Sequence, residues 1–314
     1  MKRIPVVIAG CGGVGRQLLE HIVNCRALHS KQGLVLRVVG VCDSQSMLVA
    51  NDIFTEELND DVLARICLEK SRGTSLSELN DIGDCQVFDY KEATMQVIDI
   101  AGLLGRSTGL AVVDCTASSE TLEVLKQVID SGCCVVLANK KPLTSSMEDY
   151  QKLTSHIRRI RYESTVGAGL PIIASVTRVV ASGDSVVSYC WELKWHFGVY
   201  VMSEVETGKP FSEVVSGSKA PCGMDVARKD FLGGGLSLVD KDIAERVRVA
   251  SLKGNVLRYV FGSQEISKAS SIGRLRGSDN VVEIYSRCYK EYPFVIQGAG
   301  AGTTLQPLEF WLIS

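Results

Sequence analysis

At 314 residues the chain is long enough for two domains, because a single hydrophobic core stops growing at roughly 250–300 residues. With 46% hydrophobic residues, 22% charged residues and a formal net charge of -2, it has the make-up of a globular protein without the basic excess that nucleic acid or an anionic membrane surface calls for. Its apolar runs are strand-length, short of the ~20 residues of a membrane span, so neither nucleic acid nor a membrane is an expected partner.

RIPVVIAGCGGVGRQLLEHIV reads as strand, Gly-rich turn and helix, with Val14, Leu18, Leu19, Ile22 and Val23 at helical spacing. The turn fits G-x-G-x-x-G with Gly10, Gly12 and Gly15, the pattern that lets backbone N–H groups at a helix N-terminus approach a pyrophosphate. The strand begins within a few residues of Met1, leaving no room for a targeting peptide. A cytoplasmic location is therefore expected, or a plastid one if an N-terminal extension precedes this sequence.

A second strand, LRVVGVCD, ends in Asp43. An acid there either hydrogen-bonds an adenosine ribose or serves as a turn or helix N-cap residue. Residues 44–80 read as mixed and helical. LAVVDCTASSETLEVLKQVIDSG adds a buried strand, a Thr/Ser-rich bend at Thr116 and a helix, and CCVVLAN adds another strand. Alternating β and α with apolar strands predicts a Rossmann-type, doubly wound parallel sheet whose strand-end loops at 114–119 and 138–142 face a nucleotide. Lys140 follows the last of these strands, where open α/β sheets bind ligands, although a solvated loop lysine satisfies the same pattern. The eleven Cys lie scattered in apolar runs with no C-x-x-C pair, as expected of buried reduced thiols in a reducing compartment.

Further along stand ESTVGAGL, YVMSEVETGKPFSEVV, GMDVARK and VIQGAGAG. In VGAGL the glycines suit a tight connection, and Asp225 and Lys229 share a helix face as an i,i+4 pair. Together with VIAGCGGVG and ANKKP, these blocks resemble homoserine dehydrogenase, most closely the plant, monofunctional form. The resemblance implies NAD(P)-dependent interconversion of L-aspartate 4-semialdehyde and L-homoserine, in threonine, methionine and isoleucine biosynthesis. It implies a nucleotide domain at 1–145, to which 296–314 return, and an α+β substrate-binding and dimerisation domain at 146–295, with the chain a homodimer. It assigns catalysis to Lys229 as proton carrier, Asp225 as substrate contact and Lys140 as a second active-site lysine. Gly10, Gly12, Gly13, Val14, Gly15, Asp43, Thr116, Lys140 and Gly302 would hold NADP or NAD. A sodium ion would be bound by Glu163 and the carbonyls of Val166, Ala168 and Leu170, a hard-oxygen set suited to a hard cation.

The chain departs from the family pattern in three internal places and at its C-terminal segment. Only SGSKAPC lies where the family carries a substrate-binding glutamate segment, and DVARK runs almost at once into DFLGGGLSLVDKDI where the family has a long apolar helix. WELKWHFG replaces a small-residue loop; with a suitable choice of codons, the same bases read one position later encode GSLSGTLG, the family's own sequence. TTLQPLEFWLIS behaves likewise, and the two segments hold all three Trp. Frame-shifted and deleted segments predict weakened turnover, and the alternative function is a catalytically inactive NAD(P)-binding homologue.

Overall fold

The computed structural model describes residues 1–79, 83, 85–166, 169–192, 202–217, 240–259, 263–270, 273–276 and 279–298. Two compact units divide at residue 166.

The first unit is built on a seven-stranded sheet of order β4-β3-β2-β1-β5-β6-β7. Its strands are β1 Lys2–Ala9, β2 Leu34–Cys42, β3 Ser46–Ala50, β4 Cys85–Asp89, β5 Ala111–Asp114, β6 Cys134–Leu137 and β7 Ile160–Arg161. The helices are α1 Gly13–Asn24, α2 Arg26–Lys31, α3 Asp60–Ser71, α4 Tyr90–Leu104, α5 Thr121–Asp130 and α6 Met147–Thr154. Successive strand residues point to opposite faces, and both faces are covered. Val6 and Ile8 pack with Leu18, Leu19 and Ile22 of α1 and Leu63 and Ile66 of α3. Val7 and Val39 pack with Val97, Ile100 and Leu104 of α4, Leu125 and Val128 of α5, and Leu153 of α6. That two-sided burial explains why these strands read as continuous apolar runs; each fully buried side chain such as Ile8 or Leu18 contributes about 1.5–3 kcal/mol.

The sheet is parallel except around β3, which runs antiparallel to both β2 and β4. The described part of residues 44–80 is mixed and helical as read, with α3 and a 3-10 turn at Leu76–Glu78, and β3 is the element that reading did not specify. The Asp43 N–H donates to the Ser46 carbonyl at 2.9 Å, reversing the chain at once, and the fully buried SMLVA run pairs back on β2. The unit continues beyond residue 145, because β7 pairs with β6 through Val135 and Ile160.

In the second unit, β8 Val186–Glu192, β11 Asn280–Ser286 and β12 Phe294–Gly298 form an antiparallel sheet, and β9 Asn255–Tyr259 pairs with β10 Ser263–Ser267. The helices are α7 Ile172–Ala181, α8 Met202–Glu206, α9 Phe211–Gly217 and α10 Asp240–Leu252. Asp184, buried at the entry to β8, accepts from the Ser286 hydroxyl and from the Cys288 N–H at 3.2 Å, fixing β8 against the end of β11. Asp240 accepts from the Ser212 N–H at 2.7 Å and from its hydroxyl at 2.6 Å, tying α10 to α9. Of the segment 296–314 expected to return to the first unit, Ile296–Gly298 lie in β12, and the remainder is outside the described residues.

Candidate active site at the strand ends of the first unit

Gly10 leaves β1 at φ +91, and a Cβ there would lie 2.8 Å from the Cys115 carbonyl carbon and the Thr116 nitrogen. Only glycine suits both the angle and the approach. At Gly15 a Cβ would meet the Gly10 carbonyl oxygen at 2.0 Å, so this glycine lets α1 press onto the turn. Gly12 and Gly13 differ: a Cβ at either has no neighbour within 4 Å. Two glycines thus serve packing, and two leave open space beside the backbone.

That space lies at the N-terminus of α1. Its N-cap residue is Gly12, no side chain caps it, and its first turn holds no acidic residue. Asn59, Asp89 and Ser146 cap α3, α4 and α6 by accepting N–H groups, while α2, α5 and α7, like α1, have no side-chain cap. N–H donors that no side chain fills among the described residues, and the positive end of the helix dipole, suit an anion such as a pyrophosphate.

Beside the turn, Asp114 ends β5 fully buried. It accepts from the Thr116 N–H at 2.9 Å, the Thr121 hydroxyl at 2.8 Å and the Asn139 amide at 3.1 Å. Asn139, also buried, donates to the Ser118 carbonyl at 2.7 Å and to the Thr116 hydroxyl at 3.1 Å, and its carbonyl accepts from the Lys141 N–H at 3.1 Å. Sequence reasoning missed both residues. The available signal was a polar residue ending an apolar run, AVVD and VVLAN. The network sets the path of the 114–121 and 139–144 loops, bringing Thr116 beside Gly10.

Lys140 is exposed; its carbonyl accepts from the Leu143 N–H at 3.1 Å, and its side chain has no partner among the described residues. Glu163, buried, follows β7 in a short 3-10 turn. Gly10 to Gly15, Asp43, Thr116, Lys140 and Glu163 therefore all sit at or just beyond the C-terminal ends of parallel strands, where open α/β sheets bind ligands.

Asp43 is held from all sides. One oxygen accepts from the Gln45 N–H at 2.8 Å and the Ser46 N–H at 3.0 Å; the other accepts from the Lys70 ammonium and the Leu76 N–H, each at 2.8 Å. Burial opposes its ionisation, but the Lys70 bond and the Leu76 and Gln45 N–H groups outweigh it and hold the carboxyl below the usual aspartate range.

Residues 10–162 match the family described as homoserine dehydrogenase, NAD binding domain. Over 97% of its length the chain is 22% identical to a bifunctional aspartokinase/homoserine dehydrogenase of Buchnera aphidicola, and it spans 41% of that protein. It is 24% identical to a homoserine dehydrogenase of Saccharomyces cerevisiae, across 97% of this chain and 95% of that one. The nucleotide-binding unit is thus similar to that of the homoserine dehydrogenase family. Its fold matches a hyperthermophilic archaeal homoserine dehydrogenase in complex with NADPH at TM-score 0.57 and 18% identity, covering 98% of this chain and 96% of that one. The alignment with the yeast relative runs over 367 positions, more than the 314 residues present here, so the relative carries residues that this chain lacks.

Asp225, Lys229, Gly302 and Ala168 lie outside the described residues, as do 193–201 and 299–314, the bulk of the two segments read as frame-shifted. Trp191 is in β8, its backbone paired with Val282. Leu170 belongs to the second unit, and its carbonyl accepts from the Ile172 N–H at 2.8 Å. Among the described residues no cluster of three or more His, Cys, Asp or Glu is placed to hold a metal, and no helix is long and apolar enough to cross a membrane.

Cys11, Cys42, Cys67, Cys115, Cys133, Cys134 and Cys288 are in no disulfide. Burial pushes the Cys11 and Cys42 thiols up to about 12 and Cys115 higher still, so the thiols around the glycine turn stay protonated and unreactive at neutral pH. A cavity of about 260 Å³ lined by Asn51, Asp52, Gln86, Gln96 and Asp99 lies at the far end of β3. Because β3 is antiparallel, that end is opposite the glycine turn, and the cavity takes no part in the site.

Proposed function

We propose that the chain is an NAD(P)-dependent homoserine dehydrogenase that reduces L-aspartate 4-semialdehyde to L-homoserine. The observation that carries this reading is the uncapped N-terminus of α1 behind the open Gly12–Gly13 backbone, inside the segment that matches the family. The donors present fit a dinucleotide: N–H groups of the glycine turn for the pyrophosphate, with Val14 and Thr116 beside it. Bound there, the nicotinamide supplies the hydride.

The protein's part is to hold the substrate and to deliver the proton that a carbonyl needs as it becomes an alkoxide. Lys140, exposed at the strand-end face with no competing ion pair among the described residues, brings a cation to that face. Lys229 is assigned the proton and Asp225 a contact to the substrate. A sodium ion, held by Glu163 and the carbonyls of Val166, Ala168 and Leu170, is the proposed structural cation; the buried Glu163 carboxylate supplies a hard oxygen of the right kind. The active form is proposed as a homodimer in the cytoplasm or a plastid, a reducing location that suits the free thiols. The first unit, to residue 166, is proposed as the nucleotide domain and the second as the substrate and dimerisation domain.

NADPH oxidation with aspartate semialdehyde, measured beside NADPH binding, tests this function. Turnover that is lost in Lys229→Met supports it. Binding without turnover would instead make the chain an inactive NAD(P)-binding homologue.

A further inference from the structure

We propose that Asn139 is a positioning residue for the reaction, the link through which the buried Asp114 carboxylate fixes Lys140 relative to the loop that carries Thr116. The proposal deepens the reading of Lys140 as an active-site lysine and rests on it.

Every hydrogen bond of the Asp114 side chain among the described residues comes from a donor. The Thr116 N–H reaches one oxygen, and the Thr121 hydroxyl and the Asn139 amide reach the other. The Ser118 carbonyl, 2.7 Å from the same amide nitrogen, is likewise an acceptor only. Two acceptors therefore turn the NH₂ group of Asn139 toward Asp114 and Ser118, and its carbonyl is left facing the Lys141 N–H at 3.1 Å. Aspartate in its place would set oxygen against oxygen at both acceptors. Asn139 is 3% exposed, so these partners and not solvent set its orientation.

The consequence falls on Lys140, the residue enclosed by the last of these bonds. The Asn139 carbonyl and the Lys141 N–H close a turn around it. Its own carbonyl accepts from the Leu143 N–H at 3.1 Å and the Thr144 hydroxyl at 3.2 Å, which holds its backbone at φ -83, ψ -20. The base of the lysine is thus fixed, whereas its side chain is exposed with no partner among the described residues. The same amide nitrogen lies 3.1 Å from the Thr116 hydroxyl. One buried side chain thereby sets the spacing between Thr116, a proposed cofactor contact, and Lys140. Such spacing bears on rate, because a misplacement of about 1 Å costs roughly a hundredfold.

A double-mutant cycle over Asn139→Ala and Lys140→Ala in the full chain decides the matter, read as kcat at saturating NADPH and aspartate semialdehyde. Asn139→Ala alone is expected to lower kcat at least about tenfold. In the Lys140→Ala background the same change is expected to lower it by less than about threefold, because no lysine is left to misplace. A residue that only stabilises the fold lowers kcat equally in both backgrounds. That equality, or unchanged kcat in Asn139→Ala, overturns the proposal. If Asn139→Ala does not fold, Asn139→Ser replaces it: its hydroxyl can accept the Lys141 N–H but has a single donor for Asp114 and Ser118, and the same inequality is required. Full kcat in Lys140→Ala, or a wild type that binds NADPH without turnover, refutes the reading of Lys140 and the proposal with it, a result distinct from an additive cycle.

Discussion

The Asn139 amide nitrogen lies 3.1 Å from an oxygen of the buried Asp114, and by this bond the ends of β5 and β6 are joined beside the glycine turn. The same amide also reaches the Ser118 carbonyl, and the Asn139 carbonyl holds the Lys141 N–H. Asn139→Ala removes these bonds and leaves buried acceptors unpaired. It should cost about 1–3 kcal/mol of stability in urea unfolding. NADPH affinity should fall with it, because Thr116 and the 139–144 loop lose their common anchor.

The glycines of the turn should separate into two kinds. Gly15→Ala places a methyl 2.0 Å from the Gly10 carbonyl, and Gly10→Ala adds strain at φ +91 to contacts of 2.8 Å with backbone, so either should destabilise the first unit by about 1–3 kcal/mol or more. Gly12 has negative φ and no neighbour within 4 Å. Gly12→Ala should melt within about 0.5 kcal/mol of the wild type yet bind NADPH far more weakly. Equal NADPH affinity in Gly12→Ala would show that the open space is not where the pyrophosphate lies.

How far the sequence foretold this architecture depended on local pattern. The strand–glycine–helix unit was legible because buried parallel strands are written as apolar runs and because the three fingerprint glycines have fixed spacing. β3 was not: SMLVA is five residues with no alternation, and only the hydrogen-bonded reversal at Asp43 shows that it folds back on β2. Asp43 itself was legible as a functional position, but the partner that shapes its role, Lys70, lies 27 residues away on α3, beyond any local pattern. Asp114 and Asn139 are likewise 25 residues apart and meet only because parallel β5 and β6 end side by side.

The contact between α5 and α6 should carry a pH signature. Asp149 is bonded by Lys126, Ser146 and Ser145, which hold its carboxyl at about 2, below the usual 3.8. A depressed folded-state value means a contribution present above the unfolded-state value and lost as pH falls through the folded one. The melting temperature of Asp149→Asn should therefore lie below that of the wild type at neutral pH. The gap should close as pH drops from about 4 to about 2, and a gap that persists at pH 2 would show that Asp149 acts by packing rather than charge.

Lys140 should behave as a site residue without a structural task. It is exposed and has no side-chain partner among the described residues, so Lys140→Ala should leave unfolding within about 0.5 kcal/mol. Removing its cation from the strand-end face should lower kcat about a hundredfold. Stopped-flow or steady-state assays beside a thermal melt distinguish this from a solvated loop lysine, whose removal changes neither.

The most direct measurement is calorimetric titration of NADPH into the wild-type chain and Gly12→Ala. Saturable binding at one site per chain, lost or greatly weakened in Gly12→Ala while the melting temperature holds, is the predicted result. Absence of saturable binding by the folded wild type, or binding unchanged in Gly12→Ala, would contradict a dinucleotide site at the N-terminus of α1.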